Sequence, residues 1–104
     1  MQTHHVTTQS YKVTDLQLLG ALICRVILQC NQGFVPDYKA GQYLEILLPD
    51  GEACAFSIAS PPSVGQKNIE LHIQASPDWV SAQKVIEALT SGNDVTVELP
   101  HGKA

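Results

Sequence analysis

The segment from Lys39 to Pro62 constrains the fold more than any other, because it contains a complete predicted β-hairpin. Residues Gln42–Leu48 alternate between apolar and polar side chains, which is typical of a half-buried strand. The Pro49-Asp50-Gly51 sequence then places proline and glycine where a tight turn needs them. A second strand, Cys54–Ser60, ends at two consecutive prolines. The chain is therefore predicted to contain an antiparallel pair of strands near its middle.

The second strand of this hairpin carries small residues on one face. Ala55, Ser57 and Ala59 follow one another at intervals of two, so strand alternation places them on the same side. A strand face with only small side chains, which we call a bare face, is either the floor of a ligand site or a surface that packs closely on another element. The residues alone leave both interpretations open.

Four further segments show the period of two that strands have: Tyr11–Leu19, Ala21–Cys30, Lys67–Ala75 and Val95–Leu99. The first loses its phase near Thr14 or Asp15, which predicts a β-bulge there, with Leu16 and Leu18 taking over the apolar positions. In the second segment one face is apolar, and it is formed by Leu22, Cys24, Val26, Leu28 and Cys30.

One segment changes to a helical period. Ala82, Val85, Ile86 and Leu89 fall at helical spacing, and Gly92 stands where a left-handed C-terminal cap belongs. The Ser76-Pro77-Asp78 sequence supplies start signals, so the helix is predicted to begin between Pro77 and Ala82. The predicted fold class is therefore all-β, a six-stranded antiparallel barrel with one helix between strands five and six.

Length and composition exclude several classes of protein. A chain of 104 residues is one domain. Its net charge of −4, with only six Lys and Arg residues, argues against nucleic acid and anionic membranes, since phosphate recognition needs clustered basic side chains. No apolar run approaches the ~18 residues of a membrane span, and three irregularly spaced cysteines fit reduced thiols. We therefore predict a soluble, cytoplasmic protein and expect a monomer.

Neither a metal site nor a hydrolase site is predicted. Cys24 and Cys30 share a strand face, but six residues at ~3.3 Å per residue separate them by about 20 Å, too far for one ion. His4-His5 lies near the terminus, whereas His72 and His101 fall on separate predicted elements. No serine stands in a strand-turn-helix elbow.

Four motifs follow one another over nearly the whole chain: Ala40-Gly41-Gln42-Tyr43-Leu44, Phe56-Ser57-Ile58-Ala59-Ser60, Ile69-Glu70-Leu71-His72-Ile73 and Leu99-Pro100-His101-Gly102. Together they resemble the flavin-binding β-barrel domain of the ferredoxin-NADP reductase superfamily, and within it most of all the bacterial NAD(P)H-flavin reductases. The resemblance implies a Greek-key order of the six strands. It also implies a flavin cofactor, either FAD or FMN/riboflavin.

The resemblance implies roles for individual residues. The Ser57 hydroxyl would hydrogen-bond the N5 edge of the isoalloxazine, where hydride arrives, and Phe56 would pack on the ring. The alternative is that Phe56 belongs to the core and Ser57 is simply a small strand residue. Alternation sends these two side chains to opposite faces, so both touch one ring only if the strand twists or ends there. The other predicted cofactor-binding residues are Ile58, Ala59 and Ser60 on the strand, together with His72. The resemblance also implies that Ile73, Gln74 and Ala75 lie beside the flavin tail; the alternative is that they form an ordinary strand-to-helix turn.

Cys54 departs from the family pattern. The family has an arginine two positions before the aromatic residue, and the guanidinium of that arginine binds the flavin phosphate. A cysteine at this position predicts weak phosphate recognition, so riboflavin, FMN and FAD are expected to bind with similar, modest affinity.

The predicted function is that of a flavin-binding domain, residues 1–104, of an NAD(P)H-dependent flavin oxidoreductase. The nicotinamide would bind to a second domain that is absent here, since the chain lacks a Gly-rich turn and the ~30 residues of a βαβ unit. We expect a fragment of a longer enzyme that is inactive by itself. The alternative is a non-catalytic β-barrel, a binding or interaction module that has lost cofactor binding along with the arginine.

Overall fold

The computed structural model describes residues 6–20, 22–74, 80–92 and 94–102. In chain order its elements are β1 (Thr7–Leu19), β2 (Ile23–Cys30), β3 (Tyr43–Leu47), β4 (Ala53–Ser57), β5 (Asn68–Gln74), α1 (Val80–Thr90) and β6 (Val95–His101). The predicted class, mainly β with one helix between strands five and six, is confirmed. Among the described residues no helix is long and apolar enough to cross a membrane.

The six strands form one antiparallel sheet in the order β4-β3-β6-β1-β2-β5. Its two edges, β4 and β5, meet through one isolated bridge between Ile58 and Leu71. Next to this bridge the N–H of Ala59 donates to the carbonyl of Glu70 at 2.8 Å. The molecule is thus barrel-like, with the strand order of a Greek key around its axis.

The barrel is not fully closed, because no continuous ladder joins β4 to β5. β4 ends at Ser57, three residues earlier than predicted, and the chain then runs into Pro61 and Pro62. Proline has no N–H group to donate, so the ladder cannot be extended through these positions.

One continuous core fills the barrel, and alternate residues of every strand enter it. On β2 these are Cys24, Val26, Leu28 and Cys30, as predicted. The helix contributes Ala82, Val85 and Leu89 to the same core, which confirms its predicted apolar stripe. The predicted start signal Ser76-Pro77-Asp78 and the first strand residue Ala21 lie outside the described residues.

The first hairpin confirms one prediction and corrects another. The register of β1 against β2 shifts between Val13 and Asp15, where the bulge was predicted. Leu18 and Leu22, predicted to face inward, are instead 69% and 49% exposed. Both lie beside the turn at Gly20, and alternation identifies the face of a strand but not the point at which the core beneath it ends.

Candidate functional site

The outer face of β4 is bare and open to solvent. Its small residues Ala55, Ser57 and Ala59 are exposed, whereas Cys54 and Phe56 between them are buried. The prediction that the small residues share one face is confirmed. No described element packs on these residues, so within the described part of the chain this face is not a packing surface.

Ser57 lies between two ring-bearing side chains on this face. Tyr43 is its partner in the ladder between β3 and β4. On the other side, the Ile58–Leu71 bridge continued by one antiparallel step brings His72 level with Ser57. Side chains at paired positions lie on the same face of a sheet. The result is a shallow floor bordered by a phenol ring and an imidazole.

The phenol ring of Tyr43 is held in place from β6. It stacks on the His101 ring, with the centroids 5.4 Å apart and the planes inclined by 20°. A Cβ atom at Gly102 would lie only 3.0 Å from the Tyr43 ring, so any other residue would push this ring away by a few tenths of an ångström. Gly102 also has a φ of 86°, which L side chains rarely adopt.

Gln42 fixes the same corner of the barrel. It is a buried polar residue, 9% exposed. Its Nε2 donates to the Gly102 carbonyl at 2.9 Å, and its Oε1 accepts from the Lys39 N–H at 2.9 Å. The Gln42-Tyr43 pair therefore ties the loop before β3 to the end of β6.

The segment after Ser57 is held by two side chains. The Tyr38 hydroxyl donates to the Ser60 carbonyl at 2.9 Å, and the Ser60 hydroxyl accepts from the Glu70 N–H at 3.1 Å. Ser60, predicted to bind cofactor, thus helps to fasten the end of β4 to β5. Tyr38 was missed in the sequence, where a tyrosine between loop residues gives no signal of the residue it contacts.

A charged cluster lies next to His72. The His72 Nε2 is 2.7 Å from Glu70, and the Arg25 guanidinium is 3.1 Å from Glu70 and 3.2 Å from Asp15. The hydrogen bond from His72, followed by that from Arg25, holds the pKa of Glu70 below its ordinary value. The chain's single arginine is therefore engaged by two carboxylates.

We expect Glu70 to make stability dependent on pH. Its lowered folded pKa contributes stability above the ordinary value of 4.5, and this contribution is lost as the pH falls through the folded pKa. Glu70→Gln should cost about 0.5–1 kcal/mol at neutral pH, since the cluster is partly exposed, and nothing in acid. Thermal unfolding across this pH range measures the difference; a gap between the two proteins that stays constant with pH would contradict the prediction.

The other predicted site residues divide between the two faces. His72 and Gln74 are exposed on β5, whereas Ile73 is fully buried between them. Phe56 is 6% exposed and belongs to the core, on the face opposite Ser57. Contact of its side chain with a flavin stays a prediction, and a ring on the outer face would meet its backbone. Ile58 is half-buried against the core, and Ala75 lies outside the described residues.

Cys54 also faces inward, at 8% exposure. Burial, followed by the charge of Glu52, raises the pKa of its thiol. The thiol is therefore protonated at neutral pH and supplies no charge for binding an anion.

A separate groove of about 750 Å³ lies between the β3–β4 turn, α1 and β6. None of the predicted site residues lines it. Lys84 of α1 lies on its rim, 3.3 Å from both Asp50 and Glu52. These contacts attach the helix to the turn of the central hairpin.

Comparisons with known proteins identify the relatives of this chain. A scan against models of protein families matched none. Over 97 residues the chain is 36% identical to the NAD(P)H-flavin reductase of Aliivibrio fischeri, an alignment covering 89% of this chain. This chain is homologous to the NAD(P)H-flavin reductases. The resemblance predicted from its motifs is confirmed.

Solved structures of a cytochrome P450 reductase and of a dioxygenase reductase have the same fold. A cytochrome P450 reductase from Amycolatopsis matches 97% of the chain with a TM-score of 0.80 and 25% identity. Phthalate dioxygenase reductase matches 92% with a TM-score of 0.79 and 19% identity. The fold is that of the flavin-binding domain of ferredoxin-NADP reductases. The chain spans 40% of the Aliivibrio reductase and 30% of each of these two structures.

Proposed function

We propose that this chain is the flavin-binding domain of an NAD(P)H-dependent flavin oxidoreductase. The observation that carries the proposal is the bare, exposed outer face of β4, where Ser57 lies between Tyr43 and His72. A flat ring system can approach a strand closely only where the side chains beneath it are small. Homology to NAD(P)H-flavin reductases supports a flavin as that ring system.

In this proposal the protein positions the ring and the cofactor performs the redox chemistry. A bound flavin would supply a hydride acceptor at N5. Ser57 presents its hydroxyl on the floor, where it can hydrogen-bond the N5 edge and fix the orientation of the ring. Tyr43 and His72 limit sideways movement of the ring, and the strand beneath excludes water from one of its faces.

The charges near the floor fit a flavin ring better than a flavin phosphate. Position 54 holds a buried, neutral thiol, and Arg25 is already engaged by Glu70 and Asp15. Withdrawing Arg25 to bind phosphate would remove the guanidinium from both carboxylates and leave Glu70 with its contact to His72. The isoalloxazine and the ribityl chain are therefore proposed to supply most of the affinity.

The hydride donor requires a further domain in this proposal. The NAD(P)H-flavin reductase of Aliivibrio fischeri is longer than this chain, which covers 40% of it. We propose that NAD(P)H binds to a nicotinamide-binding domain following residue 104, and that the barrel alone does not oxidise NAD(P)H.

One observation favours a second candidate function. The inward-facing Cys54 leaves the outer face of β4 without a cationic side chain. A barrel that has lost cofactor binding and serves as a non-catalytic binding or interaction module would have this property.

Flavin titration separates the two candidates. We expect the 104-residue chain to quench riboflavin fluorescence, and riboflavin, FMN and FAD to bind within about tenfold of one another, or about 1.4 kcal/mol. Absence of binding by all three flavins would favour the interaction module. A larger preference for FMN over riboflavin would contradict the proposed weakness of phosphate recognition.

Ser57→Ala tests the role of the hydroxyl in the same titration. Loss of one hydrogen bond should weaken riboflavin binding by about 1 kcal/mol, or about fivefold. Ser63→Ala is the matched control, because Ser63 is an exposed serine in the loop before β5. Equal affinities of the Ser57 and Ser63 variants would remove Ser57 from the proposed site.

A further inference from the structure

We infer that Glu45, Glu98 and His101 form a binding site for one divalent transition-metal ion, with Zn²⁺ as the preferred ion. The three residues lie together on the outer face of β3 and β6. This inference does not rest on the proposed flavin site, although the Tyr43 ring lies beside both sites. It departs from the prediction that the chain holds no metal, which weighed only the spacing of cysteines and histidines in the sequence.

The distances fit a single ion. The His101 Nε2 lies 3.0 Å from Oε1 of Glu98 and 3.4 Å from Oε1 of Glu45. One ligand atom from each residue lies within 4.8 Å of the others. Ligand atoms at about 2.0–2.2 Å from a tetrahedral Zn²⁺ are roughly 3.3–3.6 Å apart. Small side-chain movements would therefore complete three bonds to an ion and leave a fourth position for water.

A β-bulge brings the histidine to this face. Glu45 pairs with Glu98 and Tyr43 pairs with His101. Between these two pairs the chain advances by two residues on β3 but by three residues on β6, so β6 contains one extra residue. In a regular strand Glu98 and His101 would point to opposite faces. The extra residue redirects His101, and bulges commonly re-aim a side chain in this way.

Neighbouring residues orient the three ligands. The Thr8 hydroxyl donates to Oε2 of Glu98 at 3.0 Å, while Oε1 of the same carboxylate points toward His101. The Tyr43 ring stacks on the imidazole of His101 and fixes its plane. Such supporting contacts are typical of metal sites, where they set the direction of the ligands.

Charge and burial favour a cation between these groups. Glu45 and Glu98 are directly paired across the sheet, and like charges at paired positions repel. Their side chains are 29% and 26% exposed, and that of His101 is 18% exposed, so water screens the repulsion only in part. Two carboxylates neutralise a divalent ion, and the imidazole ligand selects transition metals over Mg²⁺ and Ca²⁺.

The chain contains a matched counter-example. His72 also lies against a carboxylate, that of Glu70, on the outer face. There the guanidinium of Arg25 contacts both oxygens of the carboxylate, at 3.1 and 3.3 Å. A positive charge at this position should exclude a metal ion, so the two histidines are expected to behave differently.

The test uses the 104-residue chain carrying His4→Ala and His5→Ala, because adjacent histidines bind metals by themselves. Calorimetry with Zn²⁺ and the visible absorption of Co²⁺ should each show one ion per chain. His101→Ala and the isosteric Glu45→Gln should each weaken Zn²⁺ binding by at least about tenfold, whereas His72→Ala should leave it unchanged. Far-ultraviolet circular dichroism verifies that each variant is folded.

Three results would overturn the inference. The first is no Zn²⁺ binding by the chain, which would mean that His101 only bridges two carboxylates. The second is an equal loss of affinity in the His101 and His72 variants. The third is Mg²⁺ binding as tight as that of Zn²⁺, which would show that the carboxylates act without the imidazole. If His101→Ala fails to fold, the Zn²⁺ affinity of Glu45→Gln, compared with that of the unsubstituted site, decides whether the inference stands.

Discussion

Replacing Phe56 by alanine is expected to lower the free energy of unfolding by about 3–5 kcal/mol. Phe56 is 6% exposed and is the ladder partner of Leu44, which is fully buried. Removal of the ring would leave a cavity that the surrounding strands can fill only in part. Denaturant unfolding followed by circular dichroism measures the change. A cost of about 0.5 kcal/mol or less, the range of surface substitutions, would contradict the assignment of this ring to the core.

Phe56→Leu is the companion variant, because it keeps most of the buried volume. We expect it to cost about 1–1.5 kcal/mol and to remain folded. Since only the backbone of Phe56 reaches the outer face, riboflavin affinity should be retained. A folded Phe56→Leu protein that had lost riboflavin binding would instead support direct packing of the phenyl ring on the flavin.

Ala55→Phe is expected to abolish flavin binding while leaving the fold intact. The Ala55 side chain points to solvent from the centre of the bare face, two residues before Ser57. A phenyl ring there would occupy the space proposed for the isoalloxazine, whereas surface substitutions usually change stability by only about 0.5 kcal/mol. Riboflavin titration should show a loss of affinity of at least about a hundredfold, or about 2.7 kcal/mol.

Val64→Phe is the control for added surface aromatic area. Val64 is 87% exposed in the loop before β5 and does not belong to β4. This variant should bind riboflavin as the unmodified chain does. Wild-type affinity in Ala55→Phe would mean that no flavin rests on β4, even though the fold is correct.

Local features of the chain were predictable because their causes are local. The Pro49-Asp50-Gly51 turn forms as predicted, with Gly51 at a φ of 93° and its N–H bonded to the Leu48 carbonyl at 2.9 Å. The helix begins and ends within the predicted limits, since its apolar spacing and its terminal Gly92 act over one or two turns. The bulge in β1 was predictable because the alternation of apolar and polar residues breaks at the same point in the sequence.

The candidate sites were predictable only in part. The small residues around Ser57 share a face because alternation fixes their direction, so their side of the strand follows from the sequence. The sequence does not show whether that face is exposed to solvent. Tyr38 contacts Ser60 across a separation of 22 residues, and a sequence gives no sign of such a contact.

The sequence by itself determined the period of each segment, the turns, and the motifs that relate this chain to the flavin reductases. Only the tertiary structure decided that Leu18 and Leu22 extend past the core, that proline stops the barrel from closing with a full ladder, and that His101 joins Glu45 and Glu98. The physical reason is the range of the forces involved. Turn and helix preferences act between near neighbours, whereas strand pairing and register follow from burial of the whole apolar surface at once.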